Sequence, residues 1–286
     1  MKNKLIADAG STKVEWVLLK RDGSLGSTFV TDGLNAILAS SDSVTKAFTE
    51  VRKRLPEELE VEEIHYYGAG CATPEICGRV KDTFTDVFGT VSVNVSSDLL
   101  GAARSLFGPK KGIACILGTG SNSCMYDGKS IISQIPSLGY VLGDEGSGAA
   151  LGKRLVSDAF KNQLPESIRE KFLEEYGLTL SGILDNIYRN ESPNKFLASL
   201  VPFLKDNLWN PYIYSLVLKE LTKFVRRNVA MYQGAHSLDV SFTGSIAFHF
   251  AKILREAAES QGYRVTSITE TPMSGLIEFH KNHHVE

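Results

Sequence analysis

The chain has 286 residues, which suits two lobes better than one small domain. Its apolar fraction of 43% is enough to build a sizeable core. With 31 basic and 33 acidic residues the net charge is −2, and this balance argues against a nucleic-acid or membrane-surface partner.

The sequence also lacks the patterns of membrane insertion and export. No apolar run approaches the roughly 18 residues that a membrane-spanning helix needs. The basic start of the chain is followed by only three apolar residues, 5–7, which is too few for a signal peptide. We therefore expect a cytoplasmic protein.

Cysteine and histidine spacings predict no metal centre. The four cysteines form no Cys-x-x-Cys pair and no zinc-type pattern, so we interpret them as buried free thiols. A disulfide between Cys115 and Cys124 across a hairpin is the alternative. The histidines near the C-terminus are interpreted as part of a solvated tail; they are His280, His283 and His284.

The first part of the chain predicts three meandering strands and then alternating helices and strands. The predicted strands are 5–7, 14–19, 27–30, 64–67 and 91–95. The predicted helices are 41–55, a short helix that begins at Pro74, and one capped by Ser97 that runs to 107. The order βββαβαβα predicts a mixed sheet flanked by helices, an α/β fold.

A break at 108–112, rich in Gly and Pro, predicts a lobe boundary, with lobes at 1–112 and 113–272. Beyond it the strand–turn–strand plan begins again. The predicted strands are 113–117, 123–126, 130–134, 239–243 and 267–268, and the predicted helices are 147–161, 166–176, 193–205, 211–232, 245–261 and 273–281. Aligning Gly10 with Gly120 also aligns Ser11 with Ser121, which is consistent with a duplication.

The first loop, 8–13, is a candidate phosphate-binding turn. Its small residues, Gly10 and Ser11 among them, would let backbone N–H groups approach an anion closely. Thr12 can add a hydroxyl donor and Lys13 a charge, while Asp8 would suit a magnesium ion through water. A plain hairpin turn is the alternative.

The second loop, 118–123, offers the same backbone chemistry without a carboxylate, which suggests one metal position rather than two. Its residues include Gly118, Thr119, Gly120 and Ser121. No stretch of the chain has the Walker pattern, and Ser123 stands where a dinucleotide-binding fingerprint needs glycine. A polyphosphate held by two such turns predicts an ATP-dependent phosphotransferase.

Several other residues each allow two interpretations, one functional and one structural. Asp144 and Glu145 lie among glycines before a helix, where they either accept hydrogen bonds from a ligand such as a sugar or favour the helix start. Asp98 is either a helix-start charge or a base for an attacking hydroxyl. Asn35 is a turn residue or a sugar-binding amide, and Gly244 either lets a base or ribose approach or simply turns the chain.

Together these motifs resemble the actin-like ATPase and sugar kinase superfamily, with its two-lobed, ribonuclease H-like fold. Within it the chain is similar to the N-acetylglucosamine kinases and the BadF/BadG/BcrA/BcrD-type ATPases. The residues that carry the resemblance are 8–13, 97–98, 118–123, 143–147 and 244–247, in this order along the chain.

The resemblance implies roles for individual residues. It implies that Asp8 helps to hold Mg²⁺ and that Asp98 is the general base for a sugar hydroxyl. It implies that Thr12 and Thr119 contact phosphates and that the other residues of the two turns surround the same nucleotide, namely Gly10, Ser11, Lys13, Gly118, Gly120 and Ser121. It implies contacts with adenosine for Gly244, Ser245 and Ala247. It implies contacts with the sugar for Asn35, Gly139 and Asp144.

It further implies a homodimer, an active site between the lobes and a final helix, 273–286, that returns to the first lobe. We expect an ATP-dependent kinase that phosphorylates the 6-hydroxyl of an N-acetylated amino sugar. A BadF-type ATPase that drives a partner protein and a non-catalytic sugar sensor are the alternatives.

Overall fold

A computed structural model describes residues 2–37, 39–57 and 60–283 of the chain. The chain divides into two compact units. The first consists of Met1–Lys110, Asp127–Ile131 and Thr271–Glu286, and the second of Lys111–Tyr126 and Ile132–Glu270. His284, which the sequence places in a solvated tail, lies outside the described residues.

Each unit is built on a five-stranded sheet. The strands are β1 (Lys4–Ala9), β2 (Lys13–Leu19), β3 (Leu25–Asp32), β4 (Glu63–Gly68), β5 (Ser92–Ser97), β6 (Gly112–Leu117), β7 (Ser121–Tyr126), β8 (Ile131–Ile135), β9 (Val240–Thr243) and β10 (Val265–Thr269). The helices are α1 (Ser41–Lys53), α2 (Pro74–Phe88), α3 (Asp98–Phe107), α4 (Gly139–Leu142), α5 (Gly148–Phe160), α6 (Glu166–Glu175), α7 (Leu180–Tyr188), α8 (Pro193–Ser199), α9 (Val201–Asp206), α10 (Pro211–Arg227), α11 (Ser245–His249), α12 (Ala251–Glu259) and α13 (Met273–Asn282).

The two sheets have the same strand order. The first is β3-β2-β1-β4-β5 and the second is β8-β7-β6-β9-β10, so each strand of one sheet has a counterpart five places later. The pairs β1–β2 and β6–β7 are antiparallel, whereas β1, β4 and β5 pair in parallel, as do β6, β9 and β10. This shared topology confirms the predicted fold class and the predicted internal repeat.

The parallel pairing of β1, β4 and β5 places the carboxyl ends of these three strands at one edge of the first sheet. Connections at this edge carry residues outward from a rigid scaffold, as in open α/β sheets generally. One face of this sheet packs against an aromatic core that consists of Trp16, Phe48, Tyr66 and Phe84.

The helices form where caps and apolar spacing agree. Ser40 caps α1, which buries Val44, Phe48 and Val51 on one face. Thr73 caps α2, and Pro74 occupies its first turn, where a missing N–H costs nothing. The helix continues to Phe88 and is therefore longer than the short helix predicted at this position.

Several predicted helices are interrupted in the structure. The predicted helix 193–205 is two helices, α8 and α9, with Pro202 in the first turn of the second. The predicted helix 245–261 breaks at Phe250, whose ψ of 25° departs from helical geometry. The predicted helix 211–232 ends at Arg227, and a 3₁₀ turn follows.

Two helices had no prediction, α4 and α7. Thr179 caps α7 by accepting a hydrogen bond from the Gly182 amide at 3.1 Å. Within the described ranges no helix has the length and apolar character needed to cross a membrane.

Candidate active site

Two carboxylates mark the carboxyl edge of the first sheet. Asp8 lies near the end of β1, and across the sheet it aligns with Tyr67 of β4 and Ser96 of β5. Asp98 comes two residues after Ser96 and begins α3, which Ser97 caps by accepting from the Leu100 amide at 3.2 Å. The sheet register therefore brings residues 90 positions apart in the chain to the same edge.

The electrostatics of this edge favour protonated carboxyl groups. Burial raises the pKa of Asp8 to about 7, and the charges of Asp98 and Glu15 add to the effect while Lys13 opposes it. Burial also raises the pKa of Asp98, against a hydrogen bond from the Leu99 amide to Oδ1 at 2.8 Å. The edge thus concentrates negative charge that a cation or a proton would stabilise.

The first glycine turn lies beside these carboxylates. The Gly10 amide donates to the Lys13 carbonyl at 3.0 Å, which closes the turn between β1 and β2. The Leu34 amide donates to the Gly10 carbonyl at 3.2 Å, and the Gly33 amide donates to that of Thr12 at 3.1 Å. The segment after β3 therefore supports the turn from behind.

Gly33 is essential to that support, and sequence reasoning did not identify it. A Cβ atom at this position would lie 2.3 Å from the Ser11 carbonyl oxygen. Only a residue without a side chain permits so close an approach of two backbones. The available signal was its place two residues before Asn35, between the end of a strand and a predicted polar site.

Asn35 lies at the same edge. Its Oδ1 accepts a hydrogen bond from the Ile37 amide at 3.0 Å and lies 2.5 Å from where a Cβ of Gly70 would be. The Ala36 amide donates to the Ala69 carbonyl at 3.0 Å, so this segment is tied to the turn that follows β4. The first unit thus brings together Asp8, the first glycine turn, Asn35 and Asp98.

The second glycine turn, in the second unit, joins β6 to β7. The Gly118 amide donates to the Gly120 carbonyl at 2.9 Å. Two amides at the start of α5 donate back to the turn, from Gly148 to the Gly118 carbonyl at 2.8 Å and from Ala149 to the Thr119 carbonyl at 3.0 Å. The start of a helix therefore fixes the backbone of this turn.

Asp144 contacts the same turn. Its Oδ1 accepts from the Ser121 amide at 3.0 Å, and its carboxyl group lies within 3.1–3.3 Å of a Cβ position on Gly120. Asp144 is 8% exposed and has a positive φ of 56°, which is rare for a residue other than glycine. The structure therefore joins two motifs that the sequence presents separately, 118–123 and 143–147.

The remaining predicted residues of the second unit have different surroundings. Gly244, at φ 115°, leaves room for the Leu117 carbonyl, which would lie 2.3 Å from a Cβ atom there. Ser245 is exposed, whereas the Ala247 side chain is fully buried in the core. Gly139 begins the α4 turn, and its carbonyl accepts from the Gly143 amide at 2.8 Å.

No group of three or more His, Cys, Asp or Glu side chains in the described part of the chain is arranged to hold a metal ion. The four cysteines are free thiols, three buried and Cys77 half-buried. Of the C-terminal histidines, His280 is fully buried rather than solvated, so the interpretation of this residue as part of a solvated tail is wrong.

Comparison with solved structures assigns the molecule to the sugar kinases of the actin-like ATPase fold. A protein from Porphyromonas gingivalis, provisionally described as an N-acetylglucosamine kinase, matches at 40% identity with a TM-score of 0.94. The alignment covers 98% of this chain and 99% of that one. The chain therefore belongs to the same family of sugar kinases as that protein.

More distant structures share the fold. One from Chromobacterium violaceum, with the same provisional description, matches at 18% identity and TM-score 0.70 over 98% and 99% of the two chains. A ROK family glucokinase from Streptomyces griseus, in complex with glucose and AMPPNP, matches at 15% identity and TM-score 0.58 over 98% of each chain. Neither a protein-family model nor a curated protein matches the chain.

Proposed function

We propose that this protein is an ATP-dependent sugar kinase that transfers the γ-phosphoryl group to the 6-hydroxyl of an amino sugar, with N-acetylglucosamine as the substrate. The observation that carries the proposal is the pair of carboxylates, Asp8 and Asp98, at the carboxyl edge of the same parallel strands. The provisional description of the Porphyromonas gingivalis relative supports the choice of sugar. The glucose and AMPPNP in the Streptomyces griseus structure support ATP as the donor.

Asp98 is the proposed general base. A kinase needs a group that accepts the proton of the attacking hydroxyl as the phosphoryl group moves to its oxygen. The burial that raises the pKa of Asp98 also makes the ionised carboxylate a better proton acceptor. Asn35, held at the same edge by the Ile37 amide, would orient the sugar, and Gly139 and Asp144 would contribute further sugar contacts.

The two glycine turns would bind phosphate groups through backbone amides. The Gly10, Gly118 and Ser121 amides already donate to protein oxygens. The phosphate contacts would therefore come from other amides and hydroxyls within 10–13 of the first unit and 118–121 of the second. Gly244, Ser245 and Ala247 would lie near adenosine. Since the Ala247 side chain is buried in the core, its part in binding would be limited to its backbone.

Asp8 fits a magnesium ion. Its carboxyl group is close enough to Asp98 and Glu15 for their charges to raise its pKa, and a divalent cation would relieve that repulsion. The other ligands would be phosphate oxygens and water, the usual arrangement for Mg²⁺ bound with a nucleotide. The bound ion would supply charge neutralisation for the transferred phosphoryl group.

The functional division of the chain is also a proposal. Residues 1–112 together with the terminal segment 273–286 would act as the N-terminal lobe, and 113–272 as the C-terminal lobe. The family resemblance further suggests a cytoplasmic location and a homodimer. Light scattering on the purified protein would test the homodimer.

The decisive experiment is a sugar panel. The protein is incubated with Mg-ATP and each sugar, and ADP release is followed by a coupled assay. We expect ADP release that depends on N-acetylglucosamine, with ³¹P and ¹³C NMR placing the phosphate on O6. The 6-deoxy analogue is the matched control and should support no release. Equal ADP release with and without every sugar would contradict the kinase and favour the ATPase alternative.

A further inference from the structure

Tyr66 carries a buried hydroxyl group that the proposed site does not yet use. It lies on β4, and its side chain is 0% exposed. Its ring packs among Trp16, Phe48 and Phe84, at centroid distances of 6.1, 5.8 and 5.4 Å. The hydroxyl has no hydrogen-bond partner among the described residues. A buried polar group of this kind is uncommon and costs free energy.

The tyrosine ring points toward the carboxyl edge of the sheet. Its Cε1 atom lies 2.4 Å from where a Cβ of Gly68 would be, and Cδ1 lies 3.2 Å from that position. The hydroxyl end of the ring is therefore the end beside Gly68, two residues further along β4. The missing side chain of Gly68 provides the space in which the ring extends toward the edge that bears Asp8 and Asp98.

The hydroxyl end of the ring lies close to the segment that carries the proposed base, because Gly68 of β4 pairs with Ser97 of β5, the residue before Asp98. The Cys71 sulfur lies 2.9 Å from the same Cβ position on Gly68 and so lies beside the ring. Burial raises the pKa of Tyr66, and nearby Cys71, Asp8 and Asp98 raise it further. Asp98 also contributes to raising the pKa of Cys71, after burial and Cys77. The hydroxyl end of the ring and the thiol thus lie beside Gly68, one strand away from the segment that carries Asp98.

We propose that Tyr66 is a positioning residue whose hydroxyl donates to a buried water molecule that in turn donates to the Asp98 carboxylate. A single water satisfies the hydroxyl and fits a polar site, since buried waters typically bridge otherwise unpaired groups. Asp98 Oδ1 already accepts from the Leu99 amide. A second donor would fix the rotation of the carboxyl group and hold it ready for the incoming hydroxyl.

This inference rests on the proposed function only in that Asp98 acts as the base. Its first test needs no activity. In a high-resolution crystal structure of the full chain, we expect a water within hydrogen-bond distance of both Tyr66 Oη and an Asp98 carboxyl oxygen. The same water should be absent in Tyr66→Phe, which retains the ring packing. A wild-type structure without that water overturns the inference, whatever the enzyme does.

The second test separates positioning from packing. For Tyr66→Phe we expect kcat to fall by roughly 3- to 10-fold, the equivalent of about one hydrogen bond, with less than about a 2-fold change in KM for either substrate. The melting temperature should remain close to that of the wild type. Tyr263→Phe, which removes a hydroxyl from a buried tyrosine of the second unit, should leave kcat unchanged.

An unchanged kcat in Tyr66→Phe, or a fall that Tyr263→Phe matches, overturns the positioning role. Absence of sugar-dependent ADP release in the wild type contradicts the proposed function instead. The crystallographic water then decides the inference about Tyr66 alone.

Discussion

The charge of Asp98 raises the pKa of Asp8, although Asp8 lies in β1, Asp98 follows β5, and β4 lies between these two strands. One strand spacing is about 4.8 Å, so the register places the two carboxyl-bearing segments roughly 10 Å apart across the sheet. In the proposed reaction, that separation would accommodate a substrate hydroxyl and phosphate oxygens.

The role of Asp98 gives the first prediction. In Asp98→Asn the amide cannot accept a proton, and we expect kcat to fall by about 10²- to 10⁴-fold. ATP affinity, measured by calorimetry, should change little because the amide keeps the size and shape of the side chain. Asp86→Asn, at an exposed position of α2, is the control and should have wild-type activity. A fully active Asp98→Asn variant would remove Asp98 from the base role.

The support of the first glycine turn gives the second prediction. Gly33→Ala places a methyl group 2.3 Å from the Ser11 carbonyl, so the turn must move. We expect ATP affinity to fall at least about 10-fold, since a phosphate loop tolerates little displacement. Gly78→Ala is a matched control in α2 with nothing within 4 Å of the new Cβ. It should bind ATP normally, and its free energy of unfolding should be about 0.5–1 kcal/mol higher than that of the wild type. Equal ATP affinities for the two variants would contradict this account.

The buried carboxylate of Asp8 gives a prediction about stability. Because its pKa in the folded protein is about 7, above the ordinary value of 3.8, its contribution to stability is present below pH 4 and is lost as the pH rises to 7. In urea titrations at pH 8 without metal, Asp8→Asn should raise the free energy of unfolding by roughly 1–2 kcal/mol, discounted for partial exposure.

The same variant should lose most of the increase in melting temperature that Mg-ATP gives the wild type, because a carboxylate ligand has gone. Asp206→Asn, at an exposed position of α9, should change neither quantity. If Asp8→Asn did not raise the free energy of unfolding at pH 8, the ionised Asp8 carboxylate would not destabilise the folded protein in the absence of ligand.

Two buried histidines give a prediction about pH. Burial lowers the pKa of His65 to about 4 and that of His280 to about 2, and Lys4 and Arg104 nearby lower both further. Glu63 opposes the effect at His65, whereas His65 and His283 add to it at His280. Since unfolded histidine titrates near pH 6.5, the unfolded chain binds more protons below that pH. The free energy of unfolding should therefore fall from pH 6.5 to 4, by up to about 1.4 kcal/mol per pH unit for each histidine.

Within the first unit, His280 also connects the final helix, α13, to two strands of the sheet. The His280 carbonyl oxygen accepts a hydrogen bond from Lys4 Nζ at 3.0 Å. The His280 ring atom Nε2 is hydrogen-bonded to the Tyr67 hydroxyl, also at 3.0 Å. His280→Gln should remove about half of the pH dependence measured by urea unfolding. The exposed His249→Gln should leave the slope unchanged. The same slope in His280→Gln as in the wild type would contradict this origin.

The sequence was informative where local chemistry is sufficient. The apolar runs, the glycine turns and the caps predicted most strands and the mixed-sheet fold, and the 40% identical relative confirms the family. Helix ends were less predictable. Phe250 interrupts a continuous helical pattern. Helix α7 was not predicted although Thr179 caps it, and its apolar residues Leu180, Leu184 and Tyr188 are exposed.

By itself, the sequence determined which residue types stand at the ends of the strands, because strand and turn signals are encoded within a few residues. The tertiary structure alone decided which of those residues meet. Gly33 supports Ser11, Asp144 accepts a hydrogen bond from the Ser121 amide, and the Tyr66 ring packs against Gly68. Such contacts depend on sheet register and on backbones that approach within a methyl group of each other, and no local pattern in the chain specifies those distances.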